Sequence, residues 1–130
     1  MRLITGIYKG RRFDIPRTFK ARPTTDFAKE NIFNVLNGYV DFESCRALDL
    51  FSGTGGLGLE AVSRGAAKVF LVERDAGQIA ALQTNLATVA KAMPEATGTA
   101  QILHADVRQL PGLLPPVCHG SIDLILADPP

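Results

Sequence analysis

The stretch "LDLFSGTGGLGLEA", residues 48–61, limits the folds open to this chain more than any other. A short apolar run of buried-strand type enters a G-x-G-x-x-G turn at Gly53, Gly55 and Gly58, and an apolar helix leaves it. At the first glycine the spacing allows a tight turn. At the second it lets a ligand approach the backbone without meeting a Cβ, and at the third it lets the helix pack closely on a sheet. Such a turn needs a strand before it and a helix after it to mean anything, and both are present here.

From Cys45 onward the chain keeps that rhythm. "CRALDLF" reads as a first strand, "LGLEAVSR" as a helix closed by Gly65, and "KVFLVE" as a second strand. "DAGQIAALQTNLATVAKAM" reads as a long helix opened by Asp75 with Gln78 three residues on, a capping-box pattern. Pro94 and "EATGT" break it; "AQILHA" and "SIDLILA" supply a third and a fourth strand. Nearly continuous apolar strands alternating with helices argue an α/β fold, a mostly parallel sheet with helices on both faces. Its 130 residues suit one such core, and 46% hydrophobic with 21% charged residues is ordinary for a globular chain.

The first 44 residues are organised differently. "RLITGIYKG" and "RRFDIP" read as two short strands about a turn near Lys9-Gly10. A helix follows Pro23, with Thr24 or Thr25 as its N-cap and Ala28, Ile32, Val35 and Leu36 as its apolar stripe. Asn37-Gly38 supplies the left-handed residue expected to end it. Charge divides in the same place. Residues 1–22 carry seven basic side chains and one acid, a net +6, whereas the remainder carries a net −5. A basic arm on an acidic body points to a polyanionic partner met through the arm; a solvated basic hairpin is the alternative.

Other features limit the function classes. No apolar run reaches the roughly 18 residues of a membrane span, and the basic N-terminus lacks the apolar segment of a signal peptide. Cys45 and Cys118 lie far apart without metal-ligand spacing, so reduced thiols in a cytoplasmic protein without a metal are expected. His104 and His119 have no partners at catalytic spacing and read as structural.

Three acids stand at the ends of three successive strands: Asp49, Glu73 and Asp106. Ligands in such sheets bind at the carboxyl ends of strands. Glu73 follows Gly53 by 20 residues, where an acid accepts from ribose hydroxyls. Asp49 precedes the loop, and an anion there repels a pyrophosphate while suiting an ammonium-bearing ligand. S-adenosylmethionine, with a sulfonium, an α-amino group and no phosphate, meets that description. Asp106, in "HAD", either accepts from an adenine amino group or caps a helix over "VRQLPGL".

"LDLFSGTGGLGLEAVSRGA", "VFLVERD", "HADV" and the closing "DPP" resemble the motifs of class I S-adenosylmethionine-dependent methyltransferases. "MRLITGIYKGRRFDIP" followed by "RPTTDFAKENIFNVL" is more specific, and resembles the RsmD family of bacterial enzymes that methylate the exocyclic N2 of a guanine in 16S ribosomal RNA. The resemblance covers essentially the whole chain. It implies a Rossmann-like methyltransferase domain over residues 23–130, C-terminally incomplete, behind a basic β-hairpin arm at 1–22, a monomer when full length, and 16S rRNA or the 30S subunit as partner. It implies that Asp49 and the loop Phe51, Ser52, Gly53, Thr54 and Gly55 hold the methionine part of the cofactor. Glu73 and Arg74 would lie at the ribose, and Asp106 and Val107 at the adenine.

Asp128, Pro129 and Pro130 match three positions of that family's four-residue D-P-P-aromatic catalytic motif. The Asp128 carboxylate and the Pro129 carbonyl can accept from the two N–H groups of a guanine amine, and consecutive prolines hold that carbonyl with little freedom to lose. Lys9, Arg11 and Arg12 can contact RNA phosphates, while Arg22 and Thr24 either do the same or line the active site. Tyr8 either stacks on a base or packs on the body. Family members continue past "DPP" with an aromatic residue and further elements, so a longer parent is expected to be active and the 130-residue piece weakly so or inactive. Two other readings stay open: an amino methyltransferase acting on adenine in DNA, and a non-catalytic piece that binds S-adenosylmethionine or RNA.

Overall fold

In the computed structural model the described residues are 25–110, 112 and 121–129. The arm hairpin with Tyr8, Lys9, Arg11 and Arg12, and also Arg22, Thr24, Cys118, His119 and Pro130, lie outside them. Helix α1 (Asp26–Leu36) comes first, capped by Thr25, whose hydroxyl accepts from the Ala28 N–H. A 3-10 turn, Phe42–Ser44, leads into strand β1 (Arg46–Asp49). Then follow α2 (Gly56–Ser63), β2 (Lys68–Glu73), α3 (Ala76–Ala92), the single turn α4 (Ala96–Thr99) and β3 (Ala100–His104). A second 3-10 turn, Val107–Gln109, and strand β4 (Leu124–Leu126) complete the order.

Among the described residues all strand pairings are parallel, in the order β3-β2-β1-β4. The chain moves outward from β1 through β2 to β3 and returns on the other side of β1 as β4. That reversal puts the topological switch point between β1 and β4. Asp49 ends β1 there, in register with Leu71 of β2 and Leu126 of β4.

Alternating strand residues feed two clusters. Ala47, Val69 and Leu71 join Leu57, Leu59 and Val62 of α2, Leu82 and Val89 of α3, and Phe33 of α1. On the opposite face Leu48, Phe70 and Val72 pack with Leu50, Leu103, Val107, Leu110 and Ile122. Among the described residues all four helices contribute to the first cluster, while the second is covered by connecting segments. The segment "VRQLPGL" forms a 3-10 turn over Val107–Gln109 rather than a longer helix among those residues. β4 is shorter than the run "SIDLILA" suggests, and Ile125 on it is 59% exposed.

Helix α1 departs from its expected orientation. Lys29 and Phe33 are fully buried, Leu36 packs against the core, and Ile32 and Val35 of the expected stripe are exposed, Val35 by 62%. The Phe33 ring decides this. It lies 5.9 Å from the Phe42 ring with the Arg64 guanidinium 4.9 Å above it, and burying the aromatic turns the helix by one position. The end of α1 is also different, because neither Asn37 nor Gly38 is left-handed. The helix closes through turn bonds from the Gly38 N–H to the Val35 carbonyl and from the Tyr39 N–H to the Leu36 carbonyl. Gly65, by contrast, ends α2 with φ +91° as its position suggests.

The close packing of α2 on the sheet rests on Gly58. A Cβ there would sit inside the contact surface of Leu71 Cδ2 and 3.0 Å from Asp49 Oδ2. Gly58→Ala is therefore expected to cost about 1–3 kcal/mol of stability, as overpacking of a filled core does. Gly98→Ala, where an added Cβ meets nothing within 4 Å, serves as the control in urea unfolding and is expected to be near neutral.

Candidate cofactor site at the carboxyl edge of the sheet

The loop from Leu50 to Gly55 is tied to every strand it passes. The Leu50 N–H donates to the Leu126 carbonyl at 2.9 Å and the Ser52 N–H to the Val72 carbonyl at 2.9 Å. Within the loop the Gly55 N–H reaches the Ser52 carbonyl at 2.8 Å, and the Ser52 hydroxyl donates to the Asp49 carbonyl at 3.1 Å. Gly53 and Gly55 hold φ values of +56° and +102°, which L side chains rarely adopt.

Gly53 makes the tight turn its position suggests. Gly55 has another reason than the expected one. A Cβ on it would meet Leu82 Cδ1 at 2.6 Å and Leu59 Cδ1 at 2.8 Å, so the space the missing side chain leaves is filled by α2 and α3 rather than offered to a ligand.

Asp49 is 1% exposed. Its Oδ2 accepts from the Gly58 N–H at 3.0 Å, in the first turn of α2. Gly55, the N-cap residue, has no side chain to satisfy that turn, so an acid from the neighbouring strand does it instead. The other oxygen, Oδ1, is buried and has no hydrogen-bond partner. Burial pushes the carboxyl up to about 7, and the Asp128 carboxylate adds to the rise. The bond from the Gly58 N–H opposes it, and so do the nearby Phe51 N–H and Ser52 hydroxyl dipoles.

Glu73 takes a different position. Its Oε1 accepts from the Gly53 N–H at 2.9 Å, and its Oε2 from the Arg74 and Asp75 N–H groups at 2.9 and 2.8 Å. It therefore fixes the glycine loop to the end of β2 and starts α3. In the box expected at Asp75, the carboxylate does accept from the Gln78 N–H at 3.0 Å, but the reciprocal bond to the Asp75 N–H comes from Glu73, not Gln78.

Asp106 caps the 3-10 turn, accepting from the Arg108 N–H at 2.9 Å, and Gln109 closes a capping box by accepting from the Asp106 N–H. It also holds the Arg108 guanidinium through Nε at 3.0 Å and Nη2 at 2.8 Å, with Arg74 Nη1 3.7 Å away. The bonds from Arg108 hold its carboxyl well below the usual range. Val107 opens the same turn and packs into the second cluster. His104 donates from Nε2 to the Arg74 carbonyl at 3.0 Å, a tie between the ends of β3 and β2.

Asp128 and Pro129 are exposed and stand just beyond β4, across the switch point from Asp49. Asp128 lies close enough to Asp49 to raise its pKa. One site residue had not been singled out in the sequence. Asn85 of α3, 2% exposed, donates from Nδ2 to the Thr54 carbonyl at 2.8 Å. The signal was there as a polar residue interrupting the apolar face of Ile79, Leu82 and Val89.

Among the described residues no group of three or more His, Cys, Asp and Glu could hold a metal ion, and no helix is long and apolar enough to cross a membrane.

With this geometry in place, comparison with known proteins identifies the lineage. A family described as "Conserved hypothetical protein 95" matches residues 1–130. The chain is 35% identical over 130 residues to "Ribosomal RNA small subunit methyltransferase D" of Haemophilus influenzae, covering 100% of this chain and 63% of that protein. It is 43% identical over 89 residues to the protein of the same name from Escherichia coli K12, covering 68% of this chain and 44% of that one. This chain belongs to the RsmD family. The solved structure described as "Putative methyltransferase yhhF from Escherichia coli" superposes with a TM-score of 0.68 at 34% identity, over 82% of this chain and 53% of that one. The chain thus spans about half the length of the relatives it matches, and the shared architecture is the Rossmann-like α/β fold.

Asp49 makes a prediction about pH. The unfolded chain releases this proton near the ordinary 3.8, whereas the folded chain keeps it to about 7. Between those values the folded state binds more protons, so stability is highest below the window and falls as pH rises through it. At about 1.4 kcal/mol per unit the loss is about 4 kcal/mol at most. Urea midpoints measured from pH 4 to pH 8 are expected to show this decline and to flatten in Asp49→Asn.

Proposed function

We propose that this chain carries the cofactor-binding half of an enzyme that transfers a methyl group from S-adenosylmethionine to the exocyclic N2 of a guanine in 16S rRNA. The observation that carries the reading is the juxtaposition at the switch point: Asp128 stands beside the half-satisfied Asp49 at the mouth of the glycine loop. Membership of the RsmD family, and relatives named as small-subunit rRNA methyltransferases, support the chemistry and the substrate class.

The residues present fit S-adenosylmethionine better than a dinucleotide. A pyrophosphate needs free N–H groups at the start of α2, and the Gly58 N–H there is already taken by Asp49. The buried Oδ1 of Asp49 lacks a donor, which an ammonium group supplies. Glu73 uses three acceptor positions on backbone N–H groups and keeps capacity for a ribose hydroxyl. Asp106 receives the adenine amino group at the next strand end, with Phe51 to Gly55 around the methionine part and Arg74 and Val107 flanking the nucleoside.

The bound cofactor supplies an electrophilic methyl carbon. The chain's own task is to prepare the amine. A guanine N2 lone pair is delocalised into the ring, and acceptors on both N–H groups pyramidalise the nitrogen and turn the lone pair outward. The Asp128 carboxylate and the Pro129 carbonyl are those acceptors. The carboxylate also stabilises the positive charge that grows on nitrogen as the new bond forms. The target base leaves its stack to reach this edge. Lys9, Arg11 and Arg12 contact RNA phosphates, and Arg22 and Thr24 either do the same or line the active site, in a cytoplasmic reaction on 16S rRNA or the 30S particle.

Calorimetry tests the cofactor assignment. S-adenosylmethionine is expected to bind and NAD not to. Glu73→Ala is expected to weaken binding about 10-fold or more, the loss expected for a charged hydrogen-bonding group. Asp128→Ala is expected to leave affinity roughly unchanged and, in the full-length parent, to lower transfer of labelled methyl to 30S particles by about 100-fold or more. Equal binding of NAD overturns the cofactor. Transfer to duplex DNA in preference to 30S particles overturns the substrate, and tight cofactor binding without transfer to either favours a binding-only role for this chain.

A further inference from the structure

The Asn85 side chain has no part in the chemistry proposed above, yet its placement is costly and specific. It is the one amide on the apolar face of α3, 2% exposed between Leu82 and Val89, which are fully buried. A buried amide is stabilising only if its donors are used. Its Nδ2 reaches across 31 positions of sequence to the Thr54 carbonyl, at 2.8 Å. Thr54 is itself buried and stands between the two left-handed glycines of the loop. Glycine on either side makes the peptide units around Thr54 the easiest in the loop to reorient, because no Cβ resists the change.

The other loop anchors do not control that unit. Glu73 holds the Gly53 N–H, Val72 the Ser52 N–H, and Asp49 the Gly58 N–H. Asn85 holds the Thr54 carbonyl, and through the planar peptide it sets the direction of the Gly55 N–H, which donates to the Ser52 carbonyl. We propose that Asn85 is a positioning residue for the cofactor: its amide, delivered from α3, fixes the Thr54–Gly55 peptide in the orientation that shapes the loop for S-adenosylmethionine. The inference rests on the cofactor reading given above. It adds that the helix after β2, and not only the strand ends, determines affinity.

The test compares Asn85→Leu, Asn85→Asp and Val89→Ala in this chain. Asn85→Asp keeps the shape and, ionised at pH 8, loses the donor. Val89→Ala truncates a buried neighbour on the same helix and controls for general destabilisation. Measured well below the unfolding transition, both Asn85 variants are expected to bind S-adenosylmethionine about 10-fold more weakly than wild type, the loss typical of one buried hydrogen bond. Val89→Ala is expected to bind like wild type. Amide hydrogen exchange at Gly53 and Gly55 is expected to quicken in both Asn85 variants while Val69 to Val72 of β2 stay protected, and this readout needs no cofactor. Binding by the Asn85 variants equal to wild type, or weakening matched by Val89→Ala, overturns the proposal. If wild type itself binds no S-adenosylmethionine the cofactor reading fails, and unchanged exchange at the loop glycines then overturns the positioning role independently.

Discussion

A single bond between the Asp49 carboxylate and the Gly58 N–H sets the geometry on which the site depends. It joins the end of the central strand to the first turn of α2, and it does so because Gly55 cannot cap that helix itself. The contact is possible only if α2 lies almost on the sheet, which requires glycine at 58. The same contact leaves one carboxylate oxygen buried without a donor. A buried anion is expensive, and the elevated pKa expresses that cost. A cationic ligand removes it. The acid that builds the loop is thus also the one that favours a positively charged occupant over a phosphate.

The four strand-end acids look alike in the sequence but are in unlike electrostatic states. Glu73 is surrounded by backbone N–H groups and serves as a fixed strut between β2, the glycine loop and α3. Asp106 is neutralised by Arg108 and Arg74 on an exposed rim, where ion pairs of long side chains are weak and easily exchanged. Asp49 is buried and half-satisfied, and Asp128 is exposed beside it. A rigid acid, a screened acid and a strained acid at one sheet edge can address three different parts of one ligand. Spacing places them there, and environment differentiates them.

What the sequence conveyed about this protein follows from how local each signal was. The strands, their parallel pairing, a threonine cap at 24 or 25, Gly65 as stop and the first and third loop glycines were legible because each depends on a few neighbouring residues or on apolar period. The face of α1 was not, since a stripe through Ile32 and Val35 and one through Phe33 and Leu36 lie one position apart. Only the distant partners Phe42 and Arg64 choose between them. The purpose of Gly55 was misread for the same reason, as Leu82 lies 27 residues away. Asn85 was invisible as a site residue because its partner lies 31 positions back. At the acids, position was legible but state was not: Asp106 could be read as a cap or as an adenine acceptor, and only the contacts show it capping.

The closing "DPP" gains its meaning from the sheet rather than from its own residues. An exposed Asp-Pro-Pro after a short strand is ordinarily a turn. Here β4 returns to the far side of β1, and the chain is thereby forced to place Asp128 across the switch point from the most perturbed acid in the site. The Asp128 carboxylate raises the cost of ionising Asp49, and a cation between them lowers that cost. In the function proposed above, a cationic methyl donor held there offsets that cost while the Asp128 carboxylate accepts from the incoming amine. The strand order thus brings the donor site and the acceptor site of the proposed reaction to one edge of the sheet.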